Sequence, residues 1–286
     1  MFDIEKLGNI LDIMRTAIVI PTRNAEKQGE WRKVLDAVAA QDLKIERKVI
    51  IDSSSDDSTC EIAESYGWEC KIIKCEEFDH GLTRGNAVKY LSEKNIDTVI
   101  FLTQDVFLAN PDALSEITRF LWNNPIAGCY GRQCGLQEHS LDAWQRGKCY
   151  PPESAIKSLE DIPVLGMMTP FFSNAFSAWK VAEVIRFGNF PETDFGEDML
   201  LAAAVLNQNG KIGYCSKAVA VHSHSNTVRS LFARGRQVGS FHRKHPELLR
   251  QFKNNGGSFS LLSAPFSLWF ALGVKITGYF WGYCFK

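Results

Sequence analysis

The chain has 286 residues with a formal net charge of -1, 23% charged and 45% hydrophobic residues. That is an ordinary globular balance with enough length for a full core, and it gives no electrostatic case for nucleic acid as a partner. The opening residues MFDIEKLGNILDIMR lack the apolar run of a secretory signal, and none of the eight cysteines forms a Cys-x-x-Cys pair, so reduced thiols, no structural zinc and a cytoplasmic location are expected.

Thr16–Pro21 is a β-branched run stopped by proline and predicts a buried strand. Trp31–Ala40 carries Val34, Leu35, Val38 and Ala39 at helical spacing, and Arg47–Asp52 predicts a second strand. Asp57 or Ser58 is placed to cap a helix through Glu61–Tyr66. Strands are expected at Glu69–Lys74 and Asp97–Leu102, with a helix over Leu82–Leu91 between them. Such alternation argues for βαβ units and a mainly parallel sheet, in which ligands bind outside the strand C-termini. The polar triplets Thr22-Arg23-Asn24, Asp52-Ser53-Ser54 and Thr103-Gln104-Asp105 should therefore meet on one rim. In the less regular second half, Glu197–Asn207 is a strong helix pattern, and Lys211–Tyr214 and Ala218–His222 predict two short strands.

Several groups on this frame could carry chemistry. Asp105 after a strand suits a hard divalent cation, which prefers one or two carboxylates plus phosphate, although aspartate there is also an ordinary turn residue. Asp198, with Glu197, opens a helix; a carboxylate at that point could take a proton from a hydroxyl, and acids also favour first turns through the helix dipole. His222 and His224 lie on one face of a strand end and could bind metal or simply pack. Asp79–Asn86 brings glycine and arginine to a helix start, an arrangement suited to a diphosphate or to plain capping. No Walker A or Gly-x-Gly-x-x-Gly sequence occurs.

Taken in order, IVIPTRN (18–24), VIIDSSSDDST (49–59), FDHGLTRGNA (78–87), VIFLTQDV (99–106), YGRQ (130–133), FGEDMLLAAAVLNQNGKIGY (195–214) and VAVHSH (219–224) resemble the family 2 glycosyltransferases of the GT-A fold. The FDHGLTR, TQD and YGRQ stretches are similar to the bacterial rhamnosyltransferase branch. The resemblance implies a Rossmann-like α/β domain over residues 1–226 and a helical C-terminal segment over 227–286. It implies Pro21, Thr22 and Arg23 along the nucleoside, Asp52 at the base, and His80, Gly81 and Arg84 near the base or diphosphate. Asp105 would hold a divalent cation, Mg2+ or Mn2+, with His222 or, as the second choice, His224. Asp198 would be the general base, with Glu197 and Asn174 on the acceptor side and Gln104 and Arg132 along the donor sugar. The wider family often has Asp-x-Asp at the fourth strand; here Thr103 stands at the first of those positions.

The function implied is inverting transfer of a sugar, L-rhamnose from dTDP-L-rhamnose, to a saccharide or lipid-linked saccharide in surface polysaccharide synthesis. Another donor, or nucleotide-sugar binding without catalysis, is the alternative. The C-terminal segment has six Lys/Arg between Thr227 and Arg250 against Glu247 alone, then nine aromatic residues from Phe259 to Lys286. Basic-then-aromatic order fits a helix lying on an anionic membrane face, at the cytoplasmic side of the inner membrane, or a tail packed on the domain or on a second subunit.

Overall fold

A computed structural model of the chain describes residues 11–135, 141–222, 227–253 and 265–285. Four parallel strands come first: β1 (Thr16–Thr22), β2 (Arg47–Asp52), β3 (Glu69–Ile72) and β4 (Thr98–Leu102). Helices α1 (Trp31–Ala39), α2 (Thr59–Ser65) and α3 (His80–Glu93) connect them. These are the elements the periodicity predicts. α2 begins at Thr59 with Ser58, one of the two expected caps, at the N-cap position, and Asp57 accepts bonds from both the backbone N–H and the hydroxyl of Thr59; α3 starts earlier than expected, at His80, where Asp79 caps it.

Later strands extend the same sheet: β5 (Val106–Leu108), β6 (Gly128–Cys134), β7 (Ala155–Lys157), β8 (Phe176–Lys180) and β9 (Ile212–His222). The order is β3-β2-β1-β4-β8-β6-β9-β5, with β7 also on β9. Thus β8 enters antiparallel between β4 and β6, while β9 runs parallel to β6. The two short strands expected at 211–214 and 218–222 are one strand. Its register with β6 shifts between Gly131, opposite Cys215, and Arg132, opposite Val219, so Ser216–Ala218 form a bulge, and the Ser216 N–H bonds the Ser154 hydroxyl. A bulge breaks the apolar alternation without ending the strand, which is why the sequence suggests two.

Apolar side chains cover both sheet faces. Trp31, Leu35, Ile62 and, from α4 (Ala113–Asn123), Leu114 and Ile117 pack one face. The other receives Val88 and Leu91 of α3, Val184 of α7 (Val181–Arg186) and Leu201 and Val205 of α8 (Glu197–Asn207). Between these elements lie α5 (Leu141–Cys149) and the short α6 (Ile162–Leu165).

The C-terminal segment contributes α9 (Val228–Lys244), α10 (Pro246–Gln251) and α11 (Trp269–Cys284). Phe241, Leu248 and Phe252 are buried in the main core, so this segment is docked on the sheet domain. α9 and α11 touch backbone to backbone. A Cβ at Gly235 or Gly239 would overlap the carbonyl oxygen of Lys275 or Tyr279, and one at Gly278 or Gly282 that of Phe232 or Arg236. Two Gly-x-x-x-Gly faces meeting this way allow close helix approach. Gly239→Val should therefore cost about 1–3 kcal/mol of unfolding free energy through overpacking. Gly273→Ala, on the open side of α11 with nothing within 4 Å, should leave stability unchanged or raise it. Urea unfolding of both variants checks this.

Candidate active site

The C-terminal edge of the parallel strands is held by two polar clasps. Thr22 and Asp52 are partners in register on β1 and β2. The buried Asp52 carboxylate accepts the Thr22 hydroxyl at 2.8 Å, the Ser55 hydroxyl at 2.5 Å and the Ser55 N–H at 2.7 Å. Much of its acceptor capacity thus braces the loop 52–55. In the second clasp Gln104 and the Arg23 backbone exchange both bonds: Arg23 N–H to Gln104 Oε1 at 2.7 Å, and Gln104 Nε2 to Arg23 C=O at 3.1 Å. Pro21, just before, fixes the end of β1, and the Arg23 guanidinium reaches the Cys75 sulfur.

Beside this rim β5 and β9 pair antiparallel with Val106 opposite His222, which carries His222 to Asp105. Its Nε2 lies 3.2 Å from Asp105 Oδ2, and its Nδ1 lies 3.0 Å from Gln133 Oε1. Arg146 Nη1, which can only donate, reaches the same Gln133 oxygen at 2.7 Å and so identifies it as the carbonyl. His222 must then donate from Nδ1, and in the neutral ring Nε2 presents a lone pair toward a carboxylate. A histidine whose second nitrogen is anchored by a carbonyl is a common metal-ligand arrangement. Asp105 and His222 therefore fit a divalent ion as a pair. Among the described residues there is no group of three or more His, Cys, Asp or Glu side chains placed to hold one. His224 lies outside the described residues.

The second centre forms where α8 begins. Its N-cap, Gly196, has φ 75°, and a Cβ there would strike the Phe241 ring, so only glycine suits the turn. The next two residues point to different partners. Glu197 is buried and pairs with Arg84 at 3.2 Å, while Asn174 Nδ2 donates to its Oε1 at 3.1 Å. Asp198 accepts the Asn174 backbone N–H at 3.0 Å on Oδ2 and the Met199 N–H at 2.8 Å on Oδ1. Burial and the neighbouring Glu197 nevertheless push its carboxyl up to about 7, against those bonds and the pull of Arg84. Asn174 itself is locked, its Oδ1 accepting from the Ser177 hydroxyl and the Trp179 indole.

Three expectations fare differently. Arg84, expected near the diphosphate, is 2% exposed and spends its Nη1 on Glu197 and on the His80 carbonyl and ring, so it acts inside the protein. The start of α3, expected to present backbone donors, has them engaged: Asp79 accepts the N–H groups of Gly81, Leu82 and Thr193. Gly81 is needed there for another reason, since a Cβ would overlap the Pro191 carbonyl. His80 is partly buried and its ring is held below the usual histidine range by desolvation and then by Arg84, which keeps it neutral near pH 7. Arg132 lies half-buried on β6 at the register shift, with its positive charge near Tyr214.

Residues 17–179 match the model of Glycosyl transferase family 2. The chain is 37% identical to the O-antigen chain rhamnosyltransferase WbaN of Salmonella anatum over 87% of this chain and 82% of the relative. It is 35% identical to the O-antigen chain rhamnosyltransferase RfbN of Salmonella typhimurium over 88% and 83%. The chain belongs to glycosyl transferase family 2.

Similar folds occur in S. aureus TarS solved with UDP-GlcNAc (TM-score 0.57, 19% identity, 93% of this chain and 81% of that one). They also include the mannosyltransferase PcManGT of Pyrobaculum calidifontis solved with GDP-Man and Mn2+ (TM-score 0.58, 18% identity, 92% and 69%). This glycosyltransferase thus has the GT-A architecture that the motifs imply.

Sequence reading assigned no role to Gln133, Ser173, Arg146 or Lys157. Gln133 Nε2 donates to the Ser173 hydroxyl at 2.8 Å, and the next residue, Asn174, holds Asp198; a continuous path therefore runs from Asp105 through His222 and Gln133 to Asp198. Gln133 stood in the quoted YGRQ motif, the one signal that could have found it. Lys157 is buried with its ammonium donating to the carbonyls of Met168 and Phe171 and to the Tyr130 hydroxyl, which pins the loop ahead of Ser173; burial lowers it to about 7. Glu197→Ala should cost about 3–5 kcal/mol in urea unfolding, because it strands the buried Arg84 charge. Pairing Arg84→Met with Glu197→Gln should recover most of that loss.

Proposed function

We propose that this glycosyltransferase moves L-rhamnose from dTDP-L-rhamnose to a saccharide acceptor of a surface polysaccharide, with inversion, using Asp198 as the base. The observation that carries the chemistry is the carboxyl at the start of α8, held by two backbone N–H groups and tuned to about 7. A base of that strength is charged in part at neutral pH and still takes a hydroxyl proton. The two rhamnosyltransferase relatives support the sugar.

In this reading the acceptor hydroxyl gives its proton to Asp198 as its oxygen attacks the anomeric carbon, and the nucleoside diphosphate leaves from the opposite face. Asn174 and Glu197 orient the base; Arg84, through Glu197, is a positioning residue. Pro21, Thr22, Arg23 and Asp52 line the nucleoside, and Gln104 and Arg132 the sugar. Asp105 and His222 would hold Mg2+ or Mn2+, which supplies positive charge to the departing diphosphate. The work is done at the cytoplasmic face of a membrane if the acceptor is lipid-linked.

Asp198→Asn should lower the rate of transfer about 10²–10⁴-fold, with dTDP-L-rhamnose affinity by calorimetry unchanged. Wild-type turnover in that variant would remove Asp198 from the mechanism. Because its carboxyl is raised to about 7 and the charged form is the active one, kcat/KM should fall about tenfold per pH unit below that value and level off above it. Chelator should abolish diphosphate release and Mn2+ restore it; full activity in EDTA would sink the roles of Asp105 and His222. A panel of nucleotide sugars, scored for nucleoside diphosphate release, tests the donor.

A further inference from the structure

Apart from the groups around Asp198, a cavity of about 510 Å³ opens between α9, α11 and the loop at Asp194–Phe195. Its wall carries cations. α9 has Arg229, Arg234, Arg236, Arg243 and Lys244 and no acidic residue, in a chain whose net charge is -1. The one acid on the wall, Asp194, is already paired with Lys244 at 2.9 Å. Arg236 is exposed and has no ion-pair partner among the described residues. Arg243 donates to the Phe285 carbonyl and the Ser240 hydroxyl and keeps further N–H groups for a ligand.

The rim of the cavity is aromatic. Trp281 and Phe285 line it at 51% and 57% exposure, and Phe270 on the same helix is 75% exposed. At 100° per residue Phe270 and Trp281 fall within about 20° of one another on α11, and Phe285 follows in extended backbone just past the helix end. No helix of the described residues is long and apolar enough to cross a membrane. A guanidinium-lined recess edged by exposed aromatic rings suits a ligand with an anionic head and an apolar tail. Phe195, three residues before Asp198, lines the recess and packs edge-on against Phe241 of α9.

We infer that this cavity receives the diphosphate head of an amphiphilic acceptor, with Arg236 and Arg243 on the head and Trp281, Phe285 and Phe270 in the lipid. The assignment of the amphiphile as acceptor rests on the proposed function; the binding itself does not. A second copy of the chain is disfavoured as the occupant, because a two-fold contact through this face would set its arginines against their own copies.

The test is flotation of the full chain, without donor, on three kinds of vesicle: phosphatidylcholine alone, phosphatidylcholine with phosphatidylglycerol, and phosphatidylcholine with a long-chain alkyl diphosphate at matched surface charge. The wild type should float best with the alkyl diphosphate. Arg236→Glu with Arg243→Glu should reduce that binding about tenfold or more, and Trp281→Ser with Phe285→Ser should reduce it too. Arg236→Glu alone, at an exposed and unpaired position, keeps the test open if a double variant does not fold. Equal flotation of wild type and Arg236→Glu, equal preference for phosphatidylglycerol, or a dimer by light scattering with no vesicle binding would each overturn the inference. Loss of rhamnosyl transfer is read separately by the nucleoside diphosphate assay, so the two readings fail independently.

Discussion

The buried ion pair between Arg84 and Glu197 is the constraint on which the rest of the site depends. Neither group is near water, so each needs the other, and the pair ties the centre of the α3 region to the first turn of α8. With Glu197 committed inward, Asp198 is the acid of that turn left for chemistry. Asn174 completes the arrangement by bonding both neighbours, its side chain to Glu197 and its backbone to Asp198. The negative charge of Glu197 also helps raise the Asp198 carboxyl into the range useful for a base. One structural pair thereby sets both the place and the strength of its neighbour.

Insertion of β8 makes this possible. An antiparallel strand between β4 and β6 brings the 173–174 turn to the rim where the parallel strands end. From there Ser173 meets Gln133, and Gln133 meets His222, while Asn174 meets α8. The link from Asp105 and His222 to Asp198 is thus carried by two adjacent residues of a loop. Lys157 holds the far end of that loop by its carbonyls, at the cost of burying an amine.

The C-terminal helices follow a separate logic. Four glycines let α9 and α11 pack backbone to backbone, which turns the bulky and charged side chains outward. Phe241 then reaches back to Gly196 at the entrance to α8. The helix pair is therefore coupled to the start of α8 by packing through Phe241.

By itself the sequence determined the parallel half of the sheet, because buried strands between amphipathic helices leave a plain period in the residue order. It also determined Asp105, His222 and Asp198 as the groups to examine, since each stands at the end or start of a regular element. Tertiary structure alone decided where Arg84 points: a residue four positions into a helix looks the same in sequence whether it faces a ligand or a buried glutamate. It likewise decided that Asp79 occupies the α3 donors, that residues 212–222 are one bulged strand, and that Gln133 and Asn174 join the two centres. Those are contacts between residues tens of positions apart, and no local period encodes them.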